Sequence, residues 1–362
     1  MPENIHKTVY RFIRNIFFRF DLEFIHGVVS VFLEFTGLFF NISLRNNQGY
    51  RFCNQNLANP IGLAAGFDKN GNLVNGLSLL HFGLVETGTF TKSAQSGNPL
   101  PRLFRIPSHQ ALFNRMGFNN PGIEKGIENL RKARYPFAVS IGKSKETSVD
   151  KAAEDYVSIL RVIELPENRD VKNRIVYIAI NISSPNTPGL RLLQNKTYIR
   201  NLIAECRKES NLPLFVKFSP DFSNMREFNS TLTAAVKAGI NGVIVTNTTS
   251  DQGITGCVPP EIRNNGGGLS GQPLTKKSEE YLKAAMKICG TNIPVISSGG
   301  IMNLEDVWKR LESGASLVQL YTGFIYNGPW FVQECIKYIN FKIQQNGFTN
   351  FNEYRQQFLK KK

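Results

Sequence analysis

The chain has few cysteines and pairs none of them by spacing. Cys53, Cys206, Cys257, Cys289 and Cys335 are odd in number, scattered and without a CxxC, which argues against a disulfide framework or a zinc site and points to a reducing compartment. No apolar run reaches the roughly 20 residues a bilayer span needs. The longest, about Phe24 to Phe40, is interrupted by His26 and Glu34. The N-terminus lacks the basic head, apolar run and small-residue cleavage site of a secretory signal and the Ser-rich composition of a transit peptide. It reads as part of the working protein, and a bacterial source is expected. Acidic residues are outnumbered 28 to 43 by Lys and Arg, leaving a formal charge of +15. Such a surplus implies an anionic partner: nucleic acid, an acidic membrane surface or a phosphorylated ligand.

What is present suits a large folded unit. With 362 residues, 41% apolar and 20% charged, one large domain plus a small appendage is expected. Of the 27 Phe, nine crowd the first forty residues. There Ile5, Val9, Phe12, Ile13, Ile16, Phe17 and Phe20 fall on one helical face, with Lys7, Arg11, Arg14 and Arg19 opposite and only Phe18 out of pattern. After Asp21, a candidate N-cap, a second helical stretch runs to Phe40 and is apolar over most of its circumference. The pattern fits a hairpin packed on a core or a segment lying on a membrane surface. The division expected is 1–43 for this segment and 44–362 for the rest.

Beyond residue 44, short apolar runs alternate with amphipathic stretches. Eight runs read as buried parallel strands: 61–65, 84–88, 137–142, 176–181, 214–218, 242–246, 294–298 and 316–321. Eight such repeats predict an α/β fold, a closed (β/α)8 TIM barrel with an N-terminal helical extension. Longer insertions follow the second strand (89–121) and the sixth (247–272) and are candidates for substrate loops and lids.

In such barrels the active site lies at the C-terminal strand ends, and here those ends are polar. Glycines after strands six, seven and eight, including Gly266 to Gly268, Gly299-Gly300 and Gly323, would let backbone N–H groups approach a phosphate. Lys217 stands inside an apolar strand, where an unpaired ammonium is costly. It must meet an anion, either an internal carboxylate or a cofactor phosphate or reduced ring. Lys69 follows strand one beside Asp68, which offers a simple surface pair as the alternative to ligand binding. Asn114, Asn181, Asn186 and Asn247 bring uncharged donors and acceptors to loops, where turns are their ordinary role. Together they suit a planar heterocycle such as a flavin or pyrimidine.

The motifs AAGFDKNG (64–71), NRMGFNN (114–120), NISSPNTPGLR (181–191), TNTT (246–249), GGLSG (267–271), SSGG (297–300) and SLVQLYTGFIY (316–326), in this order, closely resemble class 2 dihydroorotate dehydrogenases from about residue 5 to 340. The resemblance implies oxidation of (S)-dihydroorotate to orotate in pyrimidine biosynthesis, with hydride passing to bound FMN and electrons to a membrane quinone. It places the chain peripherally at the cytoplasmic face of a bacterial inner membrane, without metal or nucleic acid. FMN would be held by Ala65, Gly66, Thr89, Asn181, Lys217 and Thr246, joined by Gly268, Gly300, Tyr321 and Thr322. Ser140 stands where family members usually have asparagine, so its contact would be water-mediated or lost. Lys69, Asn114, Asn181, Asn186, Asn247 and Thr248 would contact substrate, as would Arg115, Met116, Gly117 and Phe118 of the NRMGFNN loop.

Ser184 would be the base that removes the substrate's C5 proton. Its ordinary alternative is a loop hydroxyl accepting a backbone N–H. The soluble relatives carry cysteine at this position, whereas Ser183 and Ser184 leave no thiol there. That difference and the aromatic N-terminal segment, which class 2 members use as a quinone entrance, both indicate class 2. Two rivals predict other features. A tRNA dihydrouridine synthase would explain the charge but calls for a cysteine acid and an RNA-binding domain, and a basic membrane module leaves the polar strand ends unexplained.

Overall fold

The computed structural model describes residues 5–40 and 49–360. Eight parallel strands close into one barrel in chain order. They are β1 (Ile61–Leu63), β2 (Leu84–Phe90), β3 (Phe137–Ile141), β4 (Ile175–Asn181), β5 (Leu214–Phe218), β6 (Gly242–Val245), β7 (Val295–Ser298) and β8 (Leu317–Leu320). Each expected apolar run supplies one of them, and Val318 opposite Ile61 closes the ring. β4 reads IVYIAIN and β6 GVIV: β-branched side chains suit the pleat, and unbroken apolar runs are what strands covered on both faces require.

Helices Ala152–Glu164, Lys196–Glu209, Met225–Lys237 and Thr275–Cys289 supply part of the outer cover. Their inward residues Ile159, Leu202, Leu232 and Leu282 join Val139, Ile178, Val216 and Val243 of the strands in one core. Asn195, Asn224 and Asn303 start helices by accepting otherwise unpaired first-turn N–H groups. The barrel's lower end is plugged by the hairpin Tyr50–Phe52 and Gln55–Leu57. Phe52 lies 5.9 Å from the ring of Phe215, which stacks on Tyr177 at 4.4 Å.

The two long insertions meet each other. Ala111–Asn114 pairs antiparallel with Leu103–Ile106 and with Gly268–Gly271, so loops that follow β2 and β6 form one three-stranded wall beside the barrel mouth.

The N-terminal segment is two helices, α1 (Ile5–Phe17) and α2 (Leu22–Phe39), with Asp21 capping the second by accepting the Phe24 N–H at 2.9 Å. The boundary expected at 43/44 lies outside the described residues. The helices dock through polar groups. Tyr10 donates to the Ile325 carbonyl at 2.6 Å, Arg14 donates to Tyr326 O at 2.9 Å and Lys7 pairs with Glu334. Phe18, the residue out of helical pattern, packs edge-on against Tyr326 under the Arg105 guanidinium. On α2, Glu23 pairs with Arg102, Glu34 accepts from Asn72, and His26 Nε2 meets the Phe67 carbonyl at 2.8 Å. At Gly76 the backbones touch, since a Cβ there would stand 2.1 Å from Leu33 O.

The apolar faces of both helices therefore look outward, with Phe12 at 68% and Phe32 at 65% exposure and Phe24, Val31, Phe35 and Phe39 also exposed. A hairpin burying its aromatic stripe on a core is not what forms. Among the described residues, α2 is the one helix apolar and long enough by composition and length to cross a membrane. Its span of about 27 Å is slightly less than the ~30 Å hydrocarbon core, and its polar edge is held by barrel loops.

Candidate active site

The polar strand ends converge on one open cavity at the barrel mouth, about 1150 Å³ of empty space including the part open to solvent. β1 and β4 lead into Lys69 and Ser184, β6 into Thr246, Asn247 and Thr248, and the Lys217 side chain reaches the floor from β5. All four expected asparagines border the cavity, and each donates to a neighbouring group. Asn186 donates to Asn114 Oδ1 at 2.9 Å, Asn114 donates to Gly268 O, Asn247 donates to Ser183 Oγ at 2.8 Å, and Asn181 donates to Thr89 Oγ1 at 3.0 Å.

Asn186 Oδ1 and Thr246 Oγ1 are buried without a protein partner. Buried polar atoms are otherwise nearly always satisfied, so these two mark where a ligand or water binds. A cradle of glycines lies beside them. Gly299 and Gly300 have φ of 92° and 68°, and a Cβ at Gly300 would stand 2.3 Å from Thr275 Cα. Thr275 donates to the Gly300 carbonyl, Ser278 donates to that of Gly299, and the fully buried Arg310 binds Thr275 O at 2.9 Å from behind. Backbone N–H groups, a fixed cation behind the loop and orphaned hydroxyl and amide oxygens fit a phosphate-bearing planar cofactor.

Ser184 is 6% exposed and its Oγ accepts the Asn186 N–H at 3.2 Å. The loop-hydroxyl reading is thus realised, on a side chain that also borders the cavity. Lys69 is not in a surface pair: Asp68 turns inward and accepts N–H groups of Gly71, Asn72 and Leu73. Burial pushes the Lys69 ammonium down to about 8, with Arg102 adding to the effect and Glu23 opposing it. Burial also pushes His26 down to about 4, helped by the Lys69 charge. Its imidazole is neutral at pH 7, so Nε2 carries the proton given to Phe67 O.

The dihydroorotate dehydrogenase family profile matches residues 49–343. This chain belongs to that family. A dihydroorotate dehydrogenase (quinone) from Vibrio cholerae is 39% identical over 344 residues, covering 91% of this chain and 99% of that protein. One from Halorhodospira halophila is 43% identical over 290 residues, covering 77% and 82%. A crystal structure of the Eimeria tenella enzyme in complex with ferulenol superposes with a TM-score of 0.80 at 30% identity, covering 92% of this chain and 94% of that one. The resemblance carried by the loop motifs and the barrel fold are borne out.

Three residues expected at the site do not line the dehydrogenase cavity. Ser140 is wholly buried and bonds Thr89 Oγ1 at 2.9 Å, so its shorter side chain meets the wall rather than the cavity. Arg115 points away to the Pro101 carbonyl and over Phe104, because alternate residues of an extended segment face opposite sides. Gly268 is part of the wall but stands behind Thr248, whose Oγ1 a Cβ there would meet at 2.0 Å. The remaining expected residues border the cavity. Of the two partners expected for Lys217, the structure supplies the carboxylate: Glu86 Oε1 is 3.4 Å away.

Several contributors were missed. Glu86 was legible, as a charge within the apolar run LVETGTF, by the same reasoning used for Lys217. Gln319, Thr187 and Arg310 had no comparable signal. Arg191 latches the Ser184 loop: it donates to Ser183 O at 3.2 Å and to Ser250 Oγ at 2.8 Å and pairs with Asp221 at 3.0 Å. Burial pushes the Asp221 carboxyl up, but N–H and hydroxyl donors of Ser250 and Thr249 with the Arg191 and Lys277 charges outweigh it and hold Asp221 low. Arg191→Ala is expected to raise hydrogen exchange across 183–193 at least tenfold, since loops open at a small fraction of the global free energy, while barrel strands exchange as before. Unchanged protection of that loop would rule out the latch.

Proposed function

We propose that this chain oxidises (S)-dihydroorotate to orotate in pyrimidine biosynthesis, holding FMN at the barrel mouth and delivering electrons to a membrane quinone. The observation that carries this reading is the convergence of Ser184, Lys69, Lys217 and the asparagine cluster on one cavity beside a glycine cradle. When bound, the flavin supplies the two-electron acceptor. Thr246, Gly300 and Thr322 offer the polar and backbone groups that hold it, and Lys217 sits at the floor.

The Lys69 ammonium attracts the substrate carboxylate, and Asn114, Asn186 and Asn247 present amides to its ring. Ser184 Oγ takes the C5 proton. The Asn186 N–H donated to Ser184 holds that oxygen in place and leaves its hydroxyl proton free to pass on. Thr187, whose buried hydroxyl has no protein partner, is the natural anchor for a water carrying that proton away. A serine is a poor base in water, so the arrangement depends on excluding bulk solvent. The Arg191 latch closes the loop.

The quinone route is read from the apolar wall. Leu103, Leu112 and Met302 border the cavity and also belong to the cluster containing Leu22, Phe18 and Tyr326. An apolar path thus continues from the cavity to α1 and α2, whose outer faces expose aromatics suited to the interfacial region of a bilayer.

The purified protein should be yellow, release one FMN on heating and oxidise dihydroorotate with quinone but not with fumarate or NAD. Ser184→Ala should keep FMN and orotate binding but slow flavin bleaching by dihydroorotate about 10²- to 10⁴-fold. Bleaching at the parental rate would assign the base elsewhere.

Lys69 is charged below a pH of about 8 and neutral above it. For an anionic substrate kcat/KM should therefore fall about tenfold per pH unit on the alkaline side. Lys69→Met should be low throughout and lack that limb; the same alkaline limb in the variant would exclude Lys69 as its source.

The aromatic face predicts binding to anionic vesicles that weakens with salt. Phe32→Asp/Phe35→Asp, at exposed positions, should lower vesicle binding at least tenfold and slow re-oxidation by a long-tailed quinone while leaving bleaching by dihydroorotate intact. Parental binding and quinone turnover in that variant would remove both roles from the helices.

A further inference from the structure

Glu86 is the one charged residue of β2, is fully buried and faces the barrel interior. A carboxylate there is tolerated only with partners, and three strands supply them. Tyr177 of β4 donates its hydroxyl to Oε2 at 2.8 Å, Gln319 of β8 donates to the same oxygen at 2.6 Å, and the Lys217 ammonium of β5 stands 3.4 Å from Oε1. Gln319 also donates to the Tyr177 oxygen at 3.0 Å, and the Tyr177 ring is fixed by stacking on Phe215. Glu86 is therefore anchored by neutral donors independently of Lys217. Lys217 has three N–H donors, of which this structure directs one at Glu86, and its side chain forms part of the cavity floor.

We propose that Glu86 is a positioning residue that fixes Lys217 in its charged form under the cavity, so that a ring reduced above it takes up one proton with its two electrons. This rests on the flavin reading above. The titratable groups around the ammonium are Glu86 and Tyr177 from the strands, with Lys69 and Tyr321 bordering the same cavity. Burial and the Glu86 charge push Tyr177 well above its ordinary value, and burial pushes Tyr321, and Cys53 beyond Tyr177, up to about 12. These stay neutral, and Glu86 is the anion that balances Lys217.

The balance is explicit. With Glu86 present, a neutral oxidised ring gains two electrons and one proton, and the remaining negative charge faces an ammonium already in place. With Glu86→Gln, the isolated buried lysine sheds its proton, as buried amines do. Reduction then draws in a second proton to the lysine and ring together. The electrons come from dihydroorotate or, in the test, from dithionite.

The experiment is spectroelectrochemical titration of bound flavin between pH 5.5 and 7, below the range in which Lys69 titrates near 8. One proton per two electrons corresponds to a midpoint slope of about 30 mV per pH unit and two protons to about 60 mV. The parent and Tyr177→Phe, which keeps the Glu86 charge, should show the shallower slope, and Glu86→Gln the steeper. An unchanged slope in Glu86→Gln, or an equal change in Tyr177→Phe, overturns the proposal. A parent that purifies without flavin ends the functional reading instead. If Glu86→Gln is not recovered folded, Lys217→Met and the double variant decide. A charge pair requires that removing the lysine as well restores a folded protein, and a double variant recovered no better than Glu86→Gln overturns the pairing.

Discussion

Closing eight parallel strands into a ring leaves no free edge and covers the wall on both faces, and the rest of this molecule follows from that constraint. Polar side chains on such strands have two permitted places: the C-terminal rim, where they meet solvent or ligand, and the ring's interior, where each must find a partner. Ser184, Thr246, Asn247 and Lys69 occupy the rim. Glu86, Tyr177, Lys217 and Gln319 occupy the interior as a mutually bonded layer between the aromatic plug at Phe52 and the cavity. The floor of the cavity is thus a charged, hydrogen-bonded layer resting on stacked rings, with Gln319 Oε1 left without a protein partner.

The rim is finished by parts that come from far apart in the chain. Asn114 and Gly268 are joined in one sheet register, and Asn186 reaches across to Asn114. Moving any of these loops disturbs the others, because each amide donates one N–H to a neighbouring group. Arg310 shows the same economy behind the glycine cradle, one side chain binding Thr275 and Ser278. Shape at the rim is held by hydrogen bonds between loops together with apolar packing behind the wall, and the cavity stays open with its polar groups at fixed positions.

The N-terminal helices invert the usual arrangement of an amphipathic helix on a globular body. Their polar side chains dock, through Tyr10, Arg14, Glu23 and His26, while aromatics face outward. In water that outer face is an exposed apolar patch of the kind that marks an interaction surface. The polar docking orients it, and the apolar cluster of Leu22, Leu112 and Met302 ties it to the cavity.

Local pattern alone determined the eight strands, the two N-terminal helices with their Asp21 cap, the loops that carry polar residues, and the family motifs, because periodicity and loop composition are written in neighbouring residues. Polar loops at the barrel mouth also made Lys69 and the four asparagines candidates, a charge inside an apolar strand singled out Lys217, and the family motifs pointed to Ser184. Only the tertiary structure decided which candidates face the cavity. Arg115 and Ser140 sit within the right motifs, yet one turns out to Pro101 and the other is consumed by Thr89. It also decided that the aromatic stripe faces away from the barrel, since whether a helix buries its apolar or its polar face depends on the groups opposite. Glu86 and Lys217 are 131 residues apart, and no local rule connects them: each strand announces a buried charge, but their pairing exists only once the ring closes.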